Sequence, residues 1–580
     1  MSSDRPLSPL RWMSGLGRLL WPAAVSVFFL LFLVIPMLSL VWVSFSGQPA
    51  NIFSDLFRLH LLAFCKHVSS GLSLHYYWEF FHTPRYYMGL INGVLFSALV
   101  TFGACVVGVL LAFILTRGEL PLPGMLRVLA ILPLAIPSFL MALSFEILFD
   151  KTGIVTRIWH SVTGLGQPFH PYSVAGCAWV QIFCFFPFVY LTTAATMERM
   201  DPTLDEASSV LGASRVLTFA RVSLPMLAPG IAAGAFLAFI RSFGDFATLE
   251  LMIPSQIKMI VVEAYRDMSG NTYWGGAATL STVMIVTILA LLAVQKLVID
   301  RNRYETMTGR AVSAPKTITD PLVCRLLFIG ALLILVFPVI NLGVIALQAC
   351  AGVWTTTMFP AQYTFMYFRH ALLTSPVPLR NSLELSAMAL FISLFLAATI
   401  AYVIHRTTFW GRHLLDFTLQ VPFILPGTAF AVALISVFNN PPLALHLTVY
   451  LVVIAYVVTR IPYGIRSILA SLQQIGPAME ESSKTLGATG RLTLWKVLLP
   501  LIRPGIIAGG IMIFISCMTD VAITLMISPP NWYPASLNVF NQIQDASYAK
   551  ASAYGLVLMV LIFTPYVLML RIFGVRQMSL

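Results

Sequence analysis

Long apolar runs separated by short polar stretches fill the chain from end to end. A helix crossing a hydrocarbon core of ~30 Å needs about 20 mostly apolar residues, because its backbone must be hydrogen-bonded internally. Twelve windows meet that requirement: 19–45, 88–116, 124–149, 172–196, 227–250, 276–298, 324–349, 380–404, 412–438, 444–469, 504–528 and 551–574. The first follows Arg5, Arg11 and Arg18, as a secretory signal would. Its apolar run is about twice the length of a signal's apolar core and no A-x-A site follows, so a retained helix is expected.

Composition agrees with this pattern. Hydrophobic residues make up 58% of the 580 and charged ones 10%, against roughly 25% charged in a soluble chain. So few charges cannot cover the surface of soluble domains of this total size, and the apolar content excludes a disordered chain. The seven cysteines (65, 105, 177, 184, 324, 350 and 517) are scattered without a C-x-x-C pair. They read as small core residues rather than a metal or redox site. The net charge of +12 would raise the question of nucleic acid in a soluble protein. Here its distribution gives the membrane orientation. With the N-terminus in the cytoplasm, 24 of the 35 basic residues fall on cytoplasmic segments and 10 outside, and Arg241 alone within a span. That positive-inside bias predicts that both termini are cytoplasmic, with no nucleic-acid partner.

The chain also repeats itself. Asp201–Pro225 aligns with Gly476–Pro500 at an offset of 275, and the match extends through Pro229-Gly230-Ile231 and Pro504-Gly505-Ile506 to Asp245 and Asp520. Upstream, Asn92, Pro133 and Pro137 match Asn381, Pro422 and Pro426 at an offset of 289. The 14 extra residues are expected in the outer loop near Asp150–Pro171. Residues 1–310 and 324–580 thus form two six-span halves joined by a basic linker, 311–323. Six is even, so both copies enter the membrane from one side and the repeat is parallel.

The loop between the fourth and fifth spans of each half carries the most specific signal. Asp201 and Pro202 suit a helix N-cap and first turn, and Gly212 suits a left-handed stop. A second amphipathic stretch, 214–222, leads to Leu224-Pro225, expected to turn the chain toward the next span. Glu481, Gly487, Leu499 and Pro500 repeat the plan. Small residues (Ala207, Ser208; Ser482, Ser483) would let another surface approach, and Glu206 and Glu481 would register on it.

These loops read E-A-S-x(3)-G-x(9)-V-x-L-P and E-S-S-x(3)-G-x(9)-V-x-L-P. They resemble the EAA motif, E-A-A-x(3)-G-x(9)-I-x-L-P, of permeases of binding-protein-dependent ABC importers, the type I transmembrane domain. The spacing is intact and every departure keeps the size class. The resemblance covers nearly the whole chain. It implies an all-α polytopic membrane protein of about 12 spans, built as two parallel six-helix permease repeats in a bacterial inner membrane. It also implies that Glu206, Ala207, Gly212, Leu224 and Pro225, with Glu481, Ser482, Gly487, Leu499 and Pro500, form coupling loops on two copies of a separate ATPase subunit. An extracytoplasmic binding protein would deliver the solute. No G-x(4)-G-K-[ST] loop occurs, so the chain is expected to be a transport subunit, not an enzyme. It would bind no cofactor itself, leaving ATP and Mg to the partner.

Acids expected within spans are Glu146, Asp245, Glu250, Glu384 and Asp520, and intramembrane charge marks function by default. Asp245 and Asp520 are repeat mates. Two readings stand for them: cargo pathway, or caps of helix breaks. Arg241 lies one turn before Asp245, where an ion pair would shield it; position 516 is Ser. The fused layout resembles the ferric-iron importer group first, then permeases for thiamine, 2-aminoethylphosphonate and sugar phosphates. The segment His75–His82 contains iron-ligand residue types, although an interfacial aromatic belt explains it as well. An ion-driven secondary transporter is the alternative class. It would not need matched capped loops.

Overall fold

The computed structural model describes residues 24–47, 73–198, 200, 207–208, 210–270, 272–301, 318–354, 357–406, 418–419, 421–441 and 443–573. The first half contains α1 (Ala24–Ser46), α2 (His75–His82), α3 (Pro84–Arg117), α4 (Pro123–Ala135), α5 (Ser138–Phe149), α6 (Ile154–Thr163), α7 (Val174–Glu198), α8 (Phe219–Phe243), α9 (Phe246–Met252), α10 (Ile260–Ser269) and α11 (Trp274–Leu297). The second contains α12 (Pro321–Ala349), α13 (Val377–Arg406), α14 (Gly427–Phe438), α15 (Val449–Gln473), α16 (Pro477–Thr485), α17 (Leu494–Met518), α18 (Ala535–Gln544) and α19 (Tyr548–Phe573). Among the described residues no strand forms, and the fold is an all-α polytopic membrane protein.

Ten of these helices are long and apolar enough to cross a membrane, and each overlaps an expected window, although α8 and α17 begin 8 and 10 residues before theirs and end inside them, at Phe243 and Met518. The other two windows are broken. In the third, α4 and α5 meet at 101° around Ile136-Pro137. In the ninth, the described apolar helix is the 12-residue α14, which follows Pro426. Proline lacks an N–H and forces its predecessor out of the helical region, so a run interrupted there cannot stay straight. Pro137 and Pro426, the repeat mates, share nearly one backbone conformation, with φ −56° and −58°. The extra length of the first half near Asp150–Pro171 contains α6.

The turn expected at Leu224-Pro225 is not formed. The chain continues as helix through a π-turn, Phe219–Ser223, into Leu224–Phe243. Pro225 has no N–H to donate, and widening the preceding turn re-pairs the carbonyls that would be stranded. Leu494–Leu498 does the same before Pro500.

Close helix approach holds each half together. A Cβ on Gly234 of α8 would lie 2.6 Å from the Cα of Val189 in α7, and one on Gly230 would lie 2.9 Å from the Thr192 carbonyl. In the second half a Cβ on Gly509 would lie 2.9 Å from the Cα of Gly464, and one on Gly505 would lie 2.6 Å from the Ser467 carbonyl. The pattern is G-x-x-x-G in both copies. Without a hydrophobic force between helices in lipid, such small residues gain association energy by letting backbones touch. The halves also interlock through their first helices. α1 packs into the core of the second half, where Ser39 and Ser436 hydroxyls lie 3.1 Å apart. α12 packs on α5 in the core of the first, where Ser144 Oγ donates to Asn341 Oδ1 at 2.7 Å.

Replacing Gly234 with Ala should therefore force α7 and α8 apart, at about 1–3 kcal/mol. Thermal unfolding in detergent checks this against Gly330→Ala, where nothing lies within 4 Å of the added Cβ. Equal midpoints for the two variants would show that this contact does not hold the helices.

Candidate functional site

The two loops end in the same way. Gly212 and Gly487 take the left-handed conformation, φ +78° and +83°, that the sequence suggested. The amides of Ala213 and Ala488 then bond back to the Ser208 and Ser483 carbonyls, both at 3.1 Å. Ser208 and Ser483 do not offer a small outer surface as expected. Their hydroxyls face inward onto Thr218 and Thr493, at 2.8 and 2.9 Å. A serine at the motif's second small position thus pins each loop to the helix that follows. Ala207, Ser482 and Glu481 remain exposed. Asp201–Glu206 lie outside the described residues, Glu206 among them.

Two features of the loops were not apparent from the motif. Leu211 and Leu486, repeat mates in its variable stretch, are 86% and 88% exposed. A large apolar side chain thus stands fully exposed at the same point of both loops. Glu480, by contrast, is buried, with its Oε1 2.9 Å from Nε of Arg406 at the end of α13. Arg406 also donates to the Ile475 carbonyl at 2.9 Å, so one guanidinium fastens both the start of α16 and its acid. At the repeat offsets the corresponding positions are Arg117, which is buried, and Asp205, outside the described residues. Leu224, Pro225, Leu499 and Pro500 lie just past the π-turns that open the long helices α8 and α17 rather than in a turn.

Those helices lead to a cavity of about 1030 Å³ between the halves. Asp245 and Asp520 line it where α8 and α17 break, and each also caps the break. Asp245 accepts from the Thr248 amide at 3.5 Å, from Ser138 Oγ at 3.1 Å and from Gln181 Nε2 at 3.1 Å. Asp520 accepts from the amides of Ile523 and Thr524 at 3.0 and 3.3 Å. The reading of these acids as caps of helix breaks is met in the geometry, and both also line the cavity.

The expected ion pair between Arg241 and Asp245 is not formed. Arg241 reaches across to the second half and donates to the Tyr463 hydroxyl. Asp520 is paired despite Ser516, because Arg460 of α15 supplies the guanidinium. Arg241 is also not alone within a span, since Arg460 and Arg466 lie inside α15 and line the same cavity. Hydropathy windows conceal such residues because a long apolar stretch outweighs two charges. The other acids are partnered: Glu146 by the hydroxyls of Tyr172 and of Tyr548, the latter at 2.6 Å, Glu250 by Arg266 at 3.2 Å, and Glu384 by Arg380 at 2.7 Å. The segment His75–His82 forms α2, where Tyr77 bonds to Ser44 at 2.8 Å and Glu79 accepts from Tyr273. Among the described residues, no three His, Cys, Asp or Glu side chains are placed to hold a metal.

The chain matches the family model described as binding-protein-dependent transport system inner membrane component twice, over residues 104–304 and 389–577. It is 26% identical to the ferric transport system permease protein FbpB of Actinobacillus pleuropneumoniae, over 81% of this chain and 69% of that one. A second Fe(3+)-transport system permease protein, from Haemophilus influenzae, is 24% identical over 83% of this chain and 89% of its own length. The sulfate transport system permease protein CysT of Escherichia coli is 28% identical over 41% of this chain and 82% of its own. With the membrane helices arranged as two copies of one unit, the chain belongs to the inner membrane components of binding-protein-dependent transport systems and is a fused, two-half ABC importer permease.

Proposed function

We propose that this permease is the membrane subunit of an ATP-driven importer for ferric iron. A binding protein delivers the cargo at the outer face. Two copies of an ATPase subunit sit under the two loops, hold ATP and Mg, and drive the change of access. Both termini lie in the cytoplasm with the loops, and the positive-inside distribution of Lys and Arg supports that orientation. The observation that carries the reading is the pair of matched loops, each ending in a left-handed glycine and presenting one bare leucine, at the foot of helices that end at a central cavity. The ferric relatives, similar over most of the chain, favour iron among the possible solutes.

Each loop residue then has a task. Glu206 and Glu481 supply a charge for register. Ala207 and Ser482 keep the outer surface low, Leu211 and Leu486 enter an apolar cleft, and Gly212 and Gly487 end the helix so that the leucine projects. Leu224-Pro225 and Leu499-Pro500 start the helices that carry the movement inward.

Reconstitution with the cognate ATPase and binding protein tests this. Iron uptake should require ATP hydrolysis. Glu206→Ala combined with Glu481→Ala should lower it by about tenfold or more, as loss of interface anchors worth over ~1.4 kcal/mol would. Uptake driven by an ion gradient without ATP would rule the proposal out.

A second variant probes the attachment of the loop. Arg406→Ala leaves Glu480 buried beside no cation, a situation that costs about 3–5 kcal/mol where burial is complete and less here. Amide hydrogen exchange over 477–487 should speed up in this variant, and ATPase activity should uncouple from uptake. Wild-type exchange there would show that the ion pair does not hold α16.

A further inference from the structure

The central cavity has two unlike walls at repeat-matched positions. On α7 the stripe is Phe185, Phe188 and Leu191; at the 275-residue offset on α15 it is Arg460, Tyr463 and Arg466. Arg241 of α8 adds a third guanidinium, bonded to Tyr463. Against three cations stand two acids, and both acids are already occupied. Asp245 is filled by Ser138, Gln181 and the Thr248 amide, and Asp520 by two amides and Arg460. Two guanidiniums remain without a carboxylate. Arg241 has a neutral hydroxyl as its acceptor. Arg466 is exposed to the cavity, one turn beyond Tyr463 on the same helix, and forms no ion pair among the described residues.

Two guanidiniums on the lining of one cavity inside a membrane protein, neither with a carboxylate of its own, are costly unless a countercharge arrives. Guanidinium groups match oxyanions in shape as well as charge, through paired N–H donors. Ser467, on the same helix and lining the same cavity, adds a neutral donor. A bare metal cation would meet only Asp245 and Asp520 as carboxylates here, each already accepting three hydrogen bonds.

We propose that Arg241 and Arg466 form an oxyanion-binding site in the cavity, so that the cargo crosses as an anion. That anion is either a free tetrahedral oxyanion or an oxyanion carried as a ligand of the metal. The statement that it is cargo rests on the importer reading above; the binding site does not.

The purified full-length chain in lipid nanodiscs is equilibrated with radiolabelled phosphate, sulfate or ferric citrate. Saturable binding of one or more of these probes is expected. It should weaken about tenfold in Arg241→Gln and again in Arg466→Gln, the order of magnitude of one charge-assisted bond. Arg241→Lys with Arg466→Lys keeps both charges and should retain binding, and the thermal midpoint of each variant separates lost binding from lost folding. Phosphate or sulfate binding alone assigns the site to a free oxyanion, and ferric citrate binding alone to an oxyanion on the metal. No binding of any probe, or equal binding by the wild type and a folded Arg241→Gln/Arg466→Gln variant, overturns the site. Anion binding that persists where ATP-driven iron uptake is lacking would remove iron as cargo and leave the site standing.

Discussion

A chain inside hydrocarbon must satisfy every backbone N–H and C=O from within, and any interrupted helix leaves groups that need another partner. Among the described residues, four interruptions pair across the repeat, at Ile136-Pro137, Gly244-Asp245, Leu425-Pro426 and Thr519-Asp520. They are gathered in one place. Three of them line the cavity, and Pro426 of the fourth lies 3.5 Å from where a Cβ on Gly244 would sit. Gathering them solves the backbone problem, since aspartate side chains and water in a cavity can serve what lipid cannot. It also creates the cavity, because helices that stop midway leave space beyond their ends. The capping role of Asp245 and Asp520 and the existence of the cavity are thus one structural fact.

The two halves obey the repeat closely in some places and abandon it in others, and the division is informative. The loops agree down to the Ser208–Thr218 and Ser483–Thr493 hydrogen bonds, the left-handed glycines and the bare leucines. The cavity walls disagree at Phe185 against Arg460, Leu191 against Arg466 and Arg241 against Ser516. In the proposed assembly, two copies of one partner require two equal docking points. One solute in one central cavity does not require two equal walls, so nothing there holds the halves to the repeat. Fusion into one polypeptide lets the halves differ where the cargo passes while staying alike where partners dock, a freedom a homodimer lacks.

How much of this could be read in the sequence follows from what each signal measures. Apolar length is a direct physical requirement, so all ten long helices overlap expected windows. Hydropathy carries no information about backbone geometry, and the windows ran straight through Pro137 and Pro426 although the repeat had already aligned them. Gly212 and Gly487 were readable because a left-handed stop demands glycine. Ser208 and Ser483 were misplaced because a small residue looks the same facing out or in. The partner of Asp520 could not be found by scanning its own helix, since Arg460 lies 60 residues away on α15. Leu211 and Leu486 were hidden in the motif's unspecified stretch, because exposure belongs to the fold and not to the residue.

The route between loop and cavity follows from helix mechanics. Phe219–Phe243 and Leu494–Met518 have 25 residues each, about 37 Å at 1.5 Å per residue. Each begins at its matched loop and ends at its aspartate-capped break. Along that length the G-x-x-x-G faces hold α8 against α7 and α17 against α15, with backbones in contact. A helix so clamped moves with its neighbour as one body, because sliding would open the close approach that binds them. A displacement at the loop therefore arrives at the break as a movement of a helix pair. In the second half that pair includes α15, which carries Arg460 and Arg466. The cationic wall then shifts relative to α7 and its apolar wall, which changes the electrostatic field in the passage as well as its width.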